Sequence, residues 1–341
     1  MSGGRRGVVS AGTWCVDLNK TIARWPEQDT ASEILEIDAQ AGGSGSNMAF
    51  DLKRLDRDFP VEAQGLVGDD DNGRFLQAQC DAFGIARSGL KARQGAPTQA
   101  TDCFNAVEGG RRTHFFHQGV AAFLAPEDFD FSSTHARYLH LGLPGAHRRM
   151  DAAVAGEANG WVATLKAARA AGLKTNLELM TIGREKLFEL AAPCLPHLDM
   201  LIVNDFEIGV LGGVETRRGE ATDVAAVFRA VEAVFARGPM AVVAAHFPEG
   251  SVVAMREGAA AAVGSVAVPA ESVRGVNGAG DAFAAGFLYG VHEGWDLQRS
   301  GRLAHACAAA SLREASTTTG VVGVAECLEL AARWGSRPMP T

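Results

Sequence analysis

The chain has 341 residues, of which 47% are apolar and 21% are charged. This length and composition suit one large globular α/β unit and exclude a disordered or fibrous chain. Because 32 Lys and Arg face 40 Asp and Glu, the formal net charge is -8, so we expect neither nucleic acid nor an anionic membrane surface as a partner.

Short apolar runs alternate with amphipathic segments along the chain, and the apolar runs predict strands. In chain order, strands are predicted over residues 8–13, 61–67, 101–107, 113–117, 138–141, 175–179 and 200–203. Helices are predicted over residues 48–55, 69–83, 161–171, 283–288 and 303–312. From about residue 135 onward strands and helices alternate, which predicts a parallel sheet covered by helices on both faces.

Two early regions do not follow this alternation. Residues 17–38 are polar and extended, and the predicted strands 101–107 and 113–117 flank Glu108-Gly109-Gly110-Arg111, which predicts a β-hairpin. We therefore predict one domain over residues 1–341, an α/β fold with a doubly wound, mostly parallel central sheet flanked by helices. A small β-rich lid is expected to be inserted in it, from segments at approximately 15–40 and 85–120.

Targeting and membrane signals are missing from the sequence pattern. Residues 1–7 lack the apolar stretch of a signal peptide, and no run of about 18 apolar residues could cross a bilayer. The 6 cysteines are scattered without a Cys-x-x-Cys pair, which is typical of reduced, buried thiols. We expect a cytoplasmic protein.

The strongest chemical signal is a glycine-rich turn that leads into a helix. Gly278, Ala279 and Gly280 directly precede Asp281. The first N–H groups of a helix have no partner within it, so such a turn can hold a phosphate. A carboxylate beside it can accept the proton of an attacking hydroxyl. Taken alone, the segment also fits an ordinary acidic helix start.

This turn, followed by Phe283 and Gly286, resembles the C-terminal signature of the ribokinase-like carbohydrate kinases, the phosphofructokinase-B family. The resemblance implies that Asp281 is the catalytic base. It also implies that the amides of Gly278, Ala279 and Gly280 stabilise charge on the transferred phosphoryl group. The implied activity is transfer of the γ-phosphate of ATP, with Mg as a cofactor, to a hydroxyl (expected to be primary) of a sugar or sugar derivative.

A second stretch resembles the substrate-binding signature of the same family. Gly42-Gly43 precedes a helix that carries Asn47, and the resemblance implies that Gly43 and Asn47 contact the substrate. It further implies that Asp17, just after the first strand, accepts hydrogen bonds from substrate hydroxyls, since a carboxylate can accept two of them.

The nucleotide side of the resemblance rests on Asn204 and Glu207. They are similar to the family's Asn-x-x-Glu motif, whose side chains bind nucleotide phosphate and Mg, often through water. Gly250 is the one glycine that fits the family's nucleotide turn, while Gly278 and Gly280 complete the implied set. The chain has Gly275-Val276-Asn277 where the family has the Asp of a monovalent-cation site, so the need for that cation is left open.

Two alternatives to a sugar kinase stay open. One is a nucleoside kinase of the same fold, in which Trp14, Trp25, Phe104 or Phe116 could stack a base. The other is a sensor that binds a ligand without catalysis. The missing Gly-x-x-x-x-Gly-Lys-Ser/Thr motif excludes a P-loop enzyme. Since lid-to-lid dimers are frequent in the family, the resemblance also implies a homodimer through the lid.

Overall fold

The computed structural model describes residues 4–110, 112–154, 156–219, 221–314 and 318–340. The strands are β1 (Val8–Gly12), β2 (Cys15–Ile22), β3 (Ile34–Gly42), β4 (Val61–Gly68), β5 (Ala86–Arg93), β6 (Gln99–Ala106), β7 (Arg112–His117), β8 (Tyr138–Gly142), β9 (Lys174–Leu177), β10 (Met200–Asn204), β11 (Arg217–Arg218), β12 (Ala221–Thr222), β13 (Val242–Phe247), β14 (Gly250–Met255) and β15 (Ala260–Gly264). The helices are α1 (Ser44–Leu55), α2 (Asp71–Phe83), α3 (Arg148–Asp151), α4 (Gly160–Ala170), α5 (Arg184–Ala191), α6 (Asp205–Gly212), α7 (Val224–Phe235), α8 (Ala279–His292), α9 (Leu297–Ser311) and α10 (Val324–Trp334).

Nine strands form the large sheet, in the order β15-β14-β13-β10-β9-β8-β1-β4-β5. In this order all neighbouring strands from β13 to β5 are parallel. Strand β14 is antiparallel to both of its neighbours, β13 and β15. The predicted doubly wound, mostly parallel sheet is therefore confirmed. None of the helices in the described residues has the length and apolar character that a membrane span needs.

Each face of the large sheet carries its own hydrophobic core. Val8 in β1 belongs to the core formed with α1, α8, α9 and α10, whereas Val9 belongs to the core formed with α4, α6 and α7. Both side chains are completely buried. Successive side chains of a strand point to opposite faces, so a strand buried on both sides reads as a continuous apolar run. This is why β1 and β10 could be recognised from sequence.

A separate four-stranded sheet has the order β3-β2-β6-β7. The pairs β2–β3 and β6–β7 are antiparallel, and β2–β6 is parallel. The last pair is the predicted hairpin. The lid segment expected over 85–120 has its strands only from Gln99 onward, because Ala86–Arg93 pairs with β4 at the edge of the large sheet. Residues 86–93 thus belong to the large sheet, and edge strands such as β5 can be largely polar.

Candidate active site

The carboxyl ends of the parallel strands meet at one edge of the large sheet, where ligands of such sheets bind. Gly12 ends β1, Glu178 directly follows β9 and Asn204 ends β10. Three cavities open along this edge, and most of the predicted site residues line them. We call them the acceptor cavity (about 460 Å³), the nucleotide cavity (about 460 Å³) and the small cavity between them (about 180 Å³).

Helix α8 begins where these cavities meet. Its N-cap residue, Gly278, has a φ of 74°, a conformation that glycine adopts without strain. Ala279, Gly280 and Asp281 form the first turn, whose N–H groups have no partner within the helix. Gly278 lines the acceptor cavity, and Gly280 lines both the small and the nucleotide cavities. The turn therefore has the geometry of an anion-binding site.

Asp281 is the half-buried carboxylate beside this turn. Asn47 in α1 donates its Nδ2–H to Asp281 Oδ2 over 2.7 Å, and the side chain of Glu178 contacts the same carboxyl group. Burial, together with the charge of Glu178, raises the pKa of Asp281 to about 8, because a second carboxylate and a low dielectric both disfavour the anion. A carboxyl group with a pKa near neutrality is suited to accept and release protons.

Glu178 was missed by the sequence analysis. Its Oε2 lies 2.6 Å from Nε2 of His140, in close contact but without the angles of a well-formed hydrogen bond. The amide nitrogen of Asn176 lies 3.0 Å from His140 Nδ1. Because an amide NH₂ only donates, Nδ1 accepts and the ring proton lies on Nε2, facing Glu178.

The protonation of this pair follows from burial. Burial lowers the pKa of His140 to about 4 and raises the pKa of Glu178 to about 7. His140 is therefore a neutral N–H donor facing Glu178. Two carboxyl groups, Glu178 and Asp281, thus share one half-buried corner of the site, and they titrate as a pair.

The acceptor cavity lies between Asp281 and the small sheet. Asp17 of β2, Gly43 and Asn47 line it, together with Phe116 of β7. A side chain at Gly42 would collide with the carboxylate of Asp17. The absence of a side chain at Gly42 therefore makes room for this carboxylate. Burial raises the pKa of Asp17 above its usual range. The volume is in the range of small-molecule sites.

The nucleotide cavity lies on the other side of the α8 N-terminus. Val266, Val268 and Val276 contribute to an apolar wall, and Asn204 and Arg217 contribute polar groups. Arg217 donates to both oxygens of Asp205 over 2.6 and 2.9 Å, within the same cavity lining. An apolar slot with polar groups at its rim suits a flat heterocycle that carries charged substituents.

Asn204 and Glu207 line the small cavity, and they also cap helix α6. The Asn204 side chain accepts from the N–H of Glu207 over 2.9 Å, and Glu207 Oε2 accepts from the N–H of Asn204 over 3.0 Å. Thr181 donates its hydroxyl to Glu207 Oε1 over 3.1 Å. Burial raises the pKa of Glu207. Asn204 and Glu207 therefore both cap helix α6 and line the small cavity.

Other predicted residues lie elsewhere. Gly250 begins β14 and does not line any of the three cavities; a side chain there would meet Met339. Of the aromatic candidates, Trp14 packs in the core, while Trp25 and Phe104 pack edge-on at 6.1 Å in the lid region.

A glycine-rich turn at a helix start beside a carboxylate of raised pKa is an arrangement that can serve phosphoryl transfer. Residues 5–322 match the model of the pfkB family carbohydrate kinases. The chain belongs to this family, as predicted from its motifs, and it is a carbohydrate kinase that uses ATP to phosphorylate a sugar hydroxyl.

Relatives span nearly the whole chain. The chain is 27% identical over 310 residues to an ATP-dependent ribose-1-phosphate kinase of Halopiger xanaduensis, covering 89% of this chain and 90% of that protein. It is 23% identical over 329 residues to a 5-dehydro-2-deoxygluconokinase of Shouchella clausii, covering 94% and 93%. A ribokinase structure from Giardia lamblia shares the fold with a TM-score of 0.77 at 20% identity, covering 97% of this chain and 100% of that one.

Proposed function

We propose that this kinase transfers the γ-phosphate of ATP to a primary hydroxyl of a sugar or sugar derivative in the acceptor cavity, with Asp281 as general base. The observation that carries the proposal is the position of Asp281, which lines both the acceptor cavity and the small cavity. Gly280 beside it lines the small and the nucleotide cavities. A hydroxyl and a phosphate brought in from opposite sides would meet at this carboxylate.

The chemistry follows from that arrangement. Asp281 accepts the hydroxyl proton as the oxygen forms its bond to the γ-phosphorus, while the bond from that phosphorus to the β–γ bridging oxygen breaks. The N–H groups of Gly278, Ala279 and Gly280 face the charge on the transferred phosphoryl oxygens and stabilise it. Asn47 holds the carboxylate through its 2.7 Å hydrogen bond, which keeps the base oriented toward the acceptor.

Magnesium fits beside Glu207 as a water-bound ion. Both carboxylate oxygens of Glu207 already accept hydrogen bonds from the chain, yet each oxygen has a further lone pair for a water. In the part of the chain that the structure describes, no group of three or more His, Cys, Asp or Glu could bind a metal directly. Since Mg²⁺ prefers to keep several waters, we infer that Glu207 and Asn204 hold it through water. When bound there, it would neutralise charge on the nucleotide phosphates.

A nucleoside is the second candidate acceptor. Phe116 lines the acceptor cavity and is half exposed, so its ring face is available to stack a base. The same base and anion site would then phosphorylate the sugar hydroxyl of the nucleoside.

We further infer a homodimer through the lid and a cytoplasmic location. The lid region carries several half-exposed apolar side chains, among them Trp25, Ile37 and Phe115, and a clustered apolar surface of this kind is typical of an interface. Trp25 stacks on Phe115 with ring centroids 6.3 Å apart. The cytoplasm is supported by the need for ATP and by six cysteines that are all buried thiols.

The test is release of ADP from ATP and Mg²⁺ across a panel of pentoses, hexoses and nucleosides. Asp281→Asn should lose at least about 100-fold in turnover, whereas Asp71→Asn, the same change at an exposed carboxylate of α2, should match the wild type. Near-normal turnover in Asp281→Asn would refute the role of the base. Binding without turnover across the whole panel would favour the sensor.

A further inference from the structure

The acceptor cavity is lined by buried hydrogen-bond acceptors without partners. Asn47 Oδ1 and Gln99 Oε1 have no hydrogen bond, although both side chains are only 4% exposed and line the cavity. The assignment of Asn47 is fixed, because its NH₂ group must face the Asp281 carboxylate. Ser44 Oγ, at the same cavity, is also unpaired. Buried polar atoms are nearly always satisfied, so the two amide oxygens call for a ligand that donates hydrogen bonds, while the Ser44 hydroxyl can donate or accept.

Carboxyl groups, rather than Lys or Arg, line the cavity. Asp17, Glu178 and Asp281 all line it. Among the described residues of its lining there is no Lys or Arg, and the basic side chain present, His114, already interacts with Asp17. A phosphate or carboxylate offers only acceptor oxygens and negative charge. It could not satisfy Asn47 Oδ1, and it could not neutralise the carboxylates.

We propose that the acceptor is an uncharged polyhydroxylated ring, a free sugar or the sugar of a nucleoside, and that Glu178 helps to exclude acceptors that carry a phosphate or carboxylate. This inference rests on the proposed function and narrows its substrate class. It separates the chain from the two relatives above, whose names give ribose 1-phosphate and 5-dehydro-2-deoxygluconate as acceptors.

Specificity for a neutral acceptor arises both from repulsion of anionic acceptors and from favourable hydrogen bonds to neutral ones. Hydroxyl groups can donate to Asn47 Oδ1, Gln99 Oε1 and the carboxylate of Asp17. An anionic group brought beside Asp17 and Glu178 would instead face carboxyl groups in a partly desolvated site. Above about pH 7, where Glu178 is ionised, this like-charge contact costs several kcal/mol. That cost corresponds to at least about 100-fold in relative kcat/KM.

The experiment compares acceptors in pairs that differ only in charge: ribose against ribose 1-phosphate, and glucose against gluconate. ADP release should give the neutral member of a pair a kcat/KM at least about 100-fold higher. Equal or faster turnover of an anionic member would overturn the inference. If none of these acceptors, nor adenosine or inosine, is turned over, the proposed kinase function fails. The inference on charge is then read from binding alone, as the rise in melting temperature with each member of a pair.

Glu178→Gln tests the assigned residue with nearly unchanged shape. Because Glu178 also contacts Asp281, the variant changes turnover of all acceptors, but this common effect cancels in the ratio within a pair. At pH 8 the neutral-to-anionic ratio should fall at least about tenfold, because at an effective dielectric near 20 one charge is worth a factor of ten even at a separation of about 12 Å. Glu189→Gln, an exposed glutamate on α5, should keep the wild-type ratio. An unchanged ratio in Glu178→Gln would show that Glu178 does not select against anions.

Discussion

Replacing Asp281 by Asn should stabilise the folded protein while it removes activity. The pKa of Asp281 is raised from 3.8 to about 8 by burial and by the charge of Glu178. An unfolded chain would ionise this group near its ordinary value, so the folded state binds the extra proton. Between pH 3.8 and about 8 the wild type therefore loses stability as the pH rises. The Asn variant has no charge to bury, and its new amide oxygen can still accept from Asn47.

The size of this effect follows from the same two pKa values. Each pH unit above 3.8 costs the wild type 1.36 kcal/mol at most, which gives an upper limit of ~2 kcal/mol at pH 5 and ~4 kcal/mol at pH 7. Above about pH 8 the difference should stay constant, because Asp281 is then ionised in both states. The extra free energy of unfolding of the variant should therefore begin to rise near pH 3.8 and level off near pH 8.

Urea unfolding without nucleotide at pH 5, 7 and 9 would measure this difference. The free energy of unfolding of Asp281→Asn minus that of the wild type should be positive and should increase from pH 5 to pH 7. Asp71→Asn serves as the control, since its side chain is exposed and should show no such trend. A difference that is negative, or that does not change with pH, would refute the assignment of a buried, proton-holding carboxylate.

Three further predictions concern pH, metal and assembly. In the wild type, kcat/KM should fall as the pH drops below about 8, where Asp281 becomes protonated. Glu178→Gln should shift this acid limb of the pH profile down by about one pH unit or more, and an unshifted limb would argue against coupling between Glu178 and Asp281. Glu207→Gln should raise the Mg²⁺ concentration for half-maximal activity about 10- to 100-fold, and an identical Mg²⁺ titration would remove Glu207 from the metal site. The double change Trp25→Ser and Phe115→Ser should convert a dimer to a monomer in light scattering with gel filtration, and a dimer that survives it forms elsewhere.

The glycine-rich start of helix α8 could be recognised because all its parts are local. Gly278 to Asp281 are consecutive, and a glycine-rich turn before a helix has the same backbone consequence in any fold. Asp17, Gly43 and Asn47 could be assigned because they also lie beside recognisable glycine turns. In each case the pattern consists of residues that lie close together in the sequence.

Glu178 could not be assigned in the same way, since it comes from the end of a different strand and meets Asp281 only through the sheet order. The signal available was its position: a carboxylate immediately after a buried strand of a parallel sheet lies at the ligand edge. The misplacement of Ala86–Arg93 has a similar origin. Its pairing with β4 is non-local, and the polar sequence of an edge strand says little about which sheet it joins.

The origin of the site residues in two different sheets bears on how this protein can evolve. Asp281 and its glycine turn are held by helix α8 against the large sheet, whereas Asp17, Gln99 and His114 face the acceptor from the small one. Recognition can therefore drift by substitutions in β2, β6 and β7 while the phosphoryl-transfer apparatus stays intact. A change in acceptor specificity would then require substitutions on only one side of the cavity.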